Sequence, residues 1–326
     1  PPPPPIPQPA VTEIPPAPQA VTPQATAEVP ELVVRAAALN HLGEQREIHR
    51  FKTAQGHISL SPDGRYLLYS GCDPCDERRL YMPMVFEINS GKITAAAEPT
   101  QGSFMPRRMT WSGQGFWIDP LVHFGIDGRL DANVQLRQAL TPQGWDLVAA
   151  EVSPDGRLVV AALDQAGASA SAVDLVVASR DGKIISRMPG ALPAEHFNRG
   201  TAVVFAWSPD SRKLVLCGEH CWLADIGHLE KAAWRQVPDR AVPRDVQWSP
   251  DGKHLLIPGT GIVNLDGTVE VPIEGEATWN PAGTAVVTEG RVSEYRLDGS
   301  HLDYGDIGSQ VILGWLPDGR LVLLGR

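Results

Sequence analysis

The sequence is short of positive charge. Its 28 Lys and Arg face 38 Asp and Glu, for a net charge of −10. An acidic chain is a poor counterion for phosphate, which argues against nucleic acid as its main ligand. No apolar run approaches the roughly 20 residues that span a bilayer as a helix. Cysteine is scarce, at four. No Gly-x-Ser-x-Gly elbow, phosphate loop or zincin signature is present. Nine histidines are scattered along the chain without a metal-ligand spacing. No cofactor is called for, and no catalytic or metal-binding residue can be nominated.

Gly and Pro, by contrast, are plentiful, at 31 and 30. Long helices tolerate neither well, so turn-rich β structure is favoured. The prolines fall in two patterns. Residues 1–30, PPPPPIPQPAVTEIPPAPQAVTPQATAEVP, are rich in Pro, Ala, Gln and Thr. A fixed φ and no amide hydrogen favour extended polyproline II there, with too little apolar surface to fold alone. The segment reads as a semi-rigid tether that could reach on the order of 90 Å. A disordered leader or a ligand for an SH3-type domain are the other readings. The chain opens on Pro1 rather than Met, so any signal peptide or lipid-anchor cysteine is expected upstream.

The second pattern is a repeat. SLSPDGRYLLYS around Ser61 recurs as TWSGQGFWID around Ser112, EVSPDGRLVVAA around Ser153 and AWSPDSRKLVLC around Ser208. It continues as QWSPDGKHLLIP around Ser249, TWNPAGTAVVTE around Asn280 and GWLPDGRLVLLG around Leu316. The mean spacing of about 42 residues is that of a four-stranded propeller blade. Each copy has a strand, often closed by Trp, a Pro-Asp-Gly turn, and a continuous apolar strand such as Leu158-Val159-Val160. Pro presets φ, Asp caps the turn and Gly takes positive φ. A third strand leads to a further turn pair, as at Asp127-Gly128 or Asp298-Gly299, and a short fourth strand. The Ser and Asp of the turn therefore read as caps, not as a nucleophile and its partner. The Trp set reads as packing between blades.

The last copy ends after one strand, while residues 31–52 hold two strand-like runs that belong to no other copy. The expected fold is an all-β, seven-bladed β-propeller over 31–326. Its N-terminal strands should complete the last blade, and the Pro-rich tether of 1–30 precedes it. Closure of this kind removes the open sheet edges that promote aggregation.

The Trp-Ser-Pro-Asp-Gly-(Lys/Arg)-x-Leu signature resembles the TolB-like, WD-repeat-like β-propeller repeat, over about residues 55–326. Six copies keep the Pro, and Ser112-Gly113-Gln114-Gly115 is degenerate. The resemblance implies the fold and is nearly silent on activity, since such propellers include scaffolds, peptidase-gating domains, lyases and ligand binders. Residues 1–326 are not expected to hold the α/β domain that precedes the propeller in TolB-like proteins, so the resemblance is carried over for the fold and not for a role.

Cys72 and Cys75 form one close pair, and Cys217 and Cys221 another, each in the hairpin after a second strand. Two local disulfides are the simplest account; free thiols and redox or metal chemistry are the alternatives. Paired cysteines and a Pro tether suggest an extracytoplasmic compartment, most simply a bacterial periplasm, with an anchor upstream. The extra length of two copies falls in 72–80, 98–108 and 190–200, where partner contacts are expected. Phe104, Met105, Arg107, Arg108, His196, Phe197 and Arg199 are the candidates. Arg107, Arg108, Glu151, Arg244, Asp245 and Glu276 are expected near the axial channel, as solvated wall or as an ion site.

The first functional reading is a non-enzymatic scaffold that docks other envelope proteins within a membrane-associated assembly. The alternatives are a metal-dependent propeller lyase or lactonase, and a ligand-sensing domain of a signalling protein.

Overall fold

The computed structural model describes residues 31–51, 58–71, 82–95, 109–112, 115–118, 122–131, 136, 140, 145–165, 172–193, 204–217, 221–226, 235–237 and 246–325. Its strands form seven four-stranded antiparallel sheets. Six of these blades are consecutive in sequence: Ile58–Ala95, Met109–Asp131, Trp145–Pro193, Val204–Val237, Gln247–Pro272 and Ala277–Asp306. In each the first strand lies innermost, next to the first strand of its neighbour, and the fourth lies outermost.

The seventh blade is composite. The last two strands, Val311–Trp315 and Leu321–Gly325, are joined by the first two, Leu32–Ala37 and Arg46–Phe51. Val33 pairs with Gly325, and the register continues without a bulge to Ala37 opposite Leu321. Phe51 packs with Tyr69 of blade one, ring centroids 4.4 Å apart. On the other side of the blade, Gln45 and Gln310 exchange side-chain hydrogen bonds of 2.9 and 3.0 Å.

The apolar runs have a clear use. In Lys213–Cys217, Leu214 and Leu216 pack with Val160, Val173 and Leu175 of blade three. Val215 and Cys217, pointing the other way, pack with Trp248, Leu255 and Val263 of blade five. A strand alternates its side chains between two faces, and here both faces are covered, so both must be apolar. Seven buried clusters repeat this arrangement, each shared by two adjacent blades. Burial of each large aliphatic side chain contributes about 1.5–3 kcal/mol.

The Ser-Pro-Asp-Gly turns explain their own composition. The Ser153 hydroxyl donates to Asp155 at 2.6 Å and accepts the Leu158 amide at 2.9 Å. Ser61, Ser208 and Ser249 repeat both bonds. The Ser208 hydroxyl also holds the Asp210 carboxyl below its ordinary pKa. These serines are buried, with Ser153 and Ser249 wholly so, and their hydroxyls are already engaged. The turn-cap reading holds.

Successive turns interlock around the ring. Gly64 has φ +68°, and a Cβ there would stand 2.4 Å from the Trp315 carbonyl oxygen across the closing seam. Gly283 packs in the same way against Pro250 of the preceding blade. Blade four departs from the pattern with Ser211 at φ +59°, and its hydroxyl accepts the Asp155 amide at 3.2 Å, making an inter-blade bond.

The seam supplies a test. Gly299 also has positive φ, +81°, but nothing lies within 4 Å of the position of its Cβ. Gly299→Ala is expected to cost about 1–2 kcal/mol, the left-handed penalty alone. Gly64→Ala adds a backbone clash and should cost at least about 1 kcal/mol more. Urea midpoints compare the two; equal losses would contradict an interlocked seam.

Candidate functional site

Strand direction gives the disc two unlike faces. On one, the first-to-second and third-to-fourth turns are short and regular: 61–65, 153–157, 180–183, 249–253, 265–268, 297–300. This is the turn face. The longer connection 226–234 of blade four is its main exception. The other face receives the second-to-third hairpins and the links between blades. Four of those links are long: 96–108, 132–144, 194–203 and 238–246. The two that follow, 273–276 and 307–310, are short. The long links of this face therefore join blades one to five, and the short ones blades five to seven. Leu32, where the chain enters its first strand, lies opposite the end of Leu321–Gly325 and so also opens on the insertion face.

Blade three stands out within this face. Its strands Trp145–Val152, Leu158–Gln165, Ala172–Ser179 and Ile184–Pro193 run eight to ten residues, against two to six elsewhere. Arg187 of its outer strand lies 4.5 Å from the Trp145 ring centroid and pairs with buried Asp174 at 2.9 Å. Leu136 and Leu140, from the preceding link, are fully buried beside Trp117 and Leu163. Part of the expected insertion at 190–200 is thus corrected: residues 190–193 continue the outer strand. Pro is tolerated there because one side of an outermost strand donates to no ladder.

The nominated contact residues Phe104, Met105, Arg107 and Arg108 fall in 96–108, and His196, Phe197 and Arg199 in 194–203. All seven lie outside the described residues, as do Cys72, Cys75, Arg244, Asp245 and the tether 1–30. The strand ends that flank both segments open on the insertion face. Cys217 and Cys221 form a disulfide, with Cα atoms 4.1 Å apart, directly across the strand pair. Closing so short a loop contributes about 2 kcal/mol on a chain-entropy account.

The inner strands of blades one to four and their turns border a half-open cavity of about 470 Å³ toward the axis of the ring. Tyr66, Trp111, Phe205 and Trp207 supply its aromatic wall, and Asp63 and Glu151 its carboxylates. Glu151 is only 8% exposed. The Trp207 indole donates to the Glu151 carbonyl at 3.4 Å, and Trp248 to that of Ala206 at 2.9 Å. These two tryptophans tie blade four to blade three and blade five to blade four. Glu276 stays exposed on the insertion face. Burial pushes the neighbouring Glu289 carboxyl above its ordinary value, against the opposing Ile312 amide, and Glu276 adds to the rise. Among the described residues no group of three or more His, Cys, Asp or Glu is placed to hold a metal.

One cluster went unseen in the sequence because its members lie in different blades. His123 of blade two receives the Arg180 guanidinium of blade three at 2.9 Å on Nδ1. Its ring lies 4.8 Å from that of Trp117, over which Arg180 also sits at 5.9 Å. Burial, reinforced by the Arg180 charge, pushes His123 down to about 4.

No family model matches this chain, and no curated protein matches its sequence. Among solved structures it is similar to a protein assigned as TolB from Agrobacterium tumefaciens. The two share 14% identity with a TM-score of 0.44, over 90% of this chain and 97% of that one. The class, a seven-bladed β-propeller, rests on the strand pairing of the chain itself.

The His123 cluster predicts an acid response. An unfolded chain takes up this proton near the ordinary 6.5, the folded one near 4. Between those values the unfolded state binds more protons, so stability is full above about pH 6.5 and falls as pH drops toward 4. His123→Gln should flatten that slope in urea titrations across the window. An unchanged slope would contradict the neutral clamp.

Proposed function

We propose that this propeller is a non-enzymatic docking platform of the bacterial envelope, which binds other proteins through its insertion face. The observation that supports this most is the asymmetry of the disc. The turn face is fixed by one repeated hydrogen-bond pattern, whereas the long links and the entry of the N-terminal segment share the opposite face. Links carried on a rigid scaffold are where recognition usually resides. A Pro-rich tether leaving from that same face would turn it toward whatever the tether is anchored to. The Cys217–Cys221 disulfide fits an oxidising compartment such as the periplasm.

The axial cavity favours one other reading, a small-ligand sensor, because about 470 Å³ falls in the range of small-molecule sites.

Cross-linking and co-purification from envelope fractions test the docking reading. Replacing 96–108 or 194–203 with Gly/Ser of equal length should remove the cross-linked partners. The same replacement of 227–234, on the turn face, should leave them. Partners that survive both insertion-face replacements, or are lost only with 227–234, would overturn it.

A further inference from the structure

A second cavity lies away from the axis, on the turn face, where blades seven and one meet. It is a groove of about 380 Å³. Arg46, Arg65 and Arg320 line it together with half-buried Ile48 and Ile88 and buried Leu316. The two acidic side chains on its wall are already neutralised. Asp318 pairs with Arg320 at 2.7 Å, and Glu47 with Arg50, outside the groove, also at 2.7 Å. Among the described residues the Arg65 guanidinium lies over the Tyr66 ring, 5.5 Å from its centroid, and its one ion-pair partner is Glu87 at 3.9 Å, beyond hydrogen-bond range. Arg46 is exposed and has no ion pair among the described residues. Two guanidinium groups are thus left to face the groove, on a chain whose net charge is −10. The local sign is the reverse of the global one.

The groove also has a backbone side. Among the described residues Arg46–Phe51 is an outermost strand, hydrogen-bonded only to Leu32–Ala37 with a bulge at Ile48, and Arg46 and Ile48 stand at its start. An open strand edge receives extended peptides, with alternate side chains set into pockets. A guanidinium fork accepts a carboxylate with two parallel hydrogen bonds. Ile48, Ile88 and Leu316 offer apolar surface beside it.

We infer that this groove binds an extended acidic segment of a partner protein, in which carboxylates alternate with aliphatic side chains along the face turned to the groove. Arg46 and Arg65 take the carboxylates, and the aliphatic residues lie over Ile48 and Ile88. The site opens on the face opposite the long links, so it stands or falls independently of the docking reading above. Because it spans the closing seam, its occupant would also bridge the two chain ends, and binding would raise the unfolding temperature.

Fluorescence anisotropy with the full chain tests this. The probe is a labelled ten-residue peptide built on a Glu-Ser-Leu-Ser repeat, which sets Glu and Leu alternately on one face; its comparator replaces each Glu with Gln. The Glu peptide should bind at least about tenfold more tightly than the Gln peptide, and more weakly as salt rises. Arg46→Glu with Arg65→Glu should reduce binding by roughly the same factor while leaving the unfolding midpoint unchanged, since both side chains are exposed. If that double variant misfolds, Arg46→Gln with Arg65→Gln gives the same reading. Equal binding of the two peptides, unaltered binding by the folded double variant, or displacement by inorganic phosphate at constant ionic strength would overturn the proposal.

Discussion

The pairing of Leu32–Ala37 with Leu321–Gly325 is the constraint on which the rest of the molecule depends. Without it the disc would be a curved strip of six blades and half a seventh, with two bare ends. Joining ends so far apart in sequence costs about 5 kcal/mol in chain entropy alone. The gain comes from a continuous register, from the Gln45–Gln310 amide exchange, and from two apolar clusters. One of these unites Ala37, Leu42 and Leu321 with blade six, and the other Val34, Phe51 and Val322 with blade one. The interlocked turns at Gly64 and Trp315 close the same seam at the axis. Stability here is cooperative around a ring, because every blade is half of two cores.

That arrangement separates folding from recognition. A blade needs apolar residues on both faces of its middle strands and a capped turn between the first two. These demands fall on the sheets and on the turn face. They leave the links on the opposite face free to vary, and there the chain departs from its own repeat, in the links 96–108, 132–144 and 194–203 and in the long strands of blade three. Asymmetry between faces follows from the repeat and carries the functional reading.

What could be read from the sequence divides along the same line. The blade count, the composite seventh blade and the capping role of Ser153 or Ser249 were legible, because each is written in local spacing and recurs. The Cys217–Cys221 bridge was legible because its partners sit in one hairpin. The His123–Arg180–Trp117 clamp and the arginine groove were not, since their members come from different blades and meet only when the ring closes. The strand through Pro189 and Pro193 was hidden by residues that usually mark a loop, and only its outermost position explains them. Ser211 broke the glycine rule of the turn and proved to be an inter-blade acceptor. The nominated contacts between Phe104 and Arg108 and between His196 and Arg199 remain a matter for partner binding rather than for the fold.

Two N-terminal truncations, compared by urea unfolding and by molecular mass in solution, bear most directly on ring closure. The account predicts that a chain beginning at Glu31 unfolds cooperatively at the midpoint of the full chain and stays monomeric. A chain beginning at Lys52, lacking both N-terminal strands, should lose the cooperative transition or self-associate through its exposed edges. A monomer from Lys52 onward with an unchanged midpoint would contradict it.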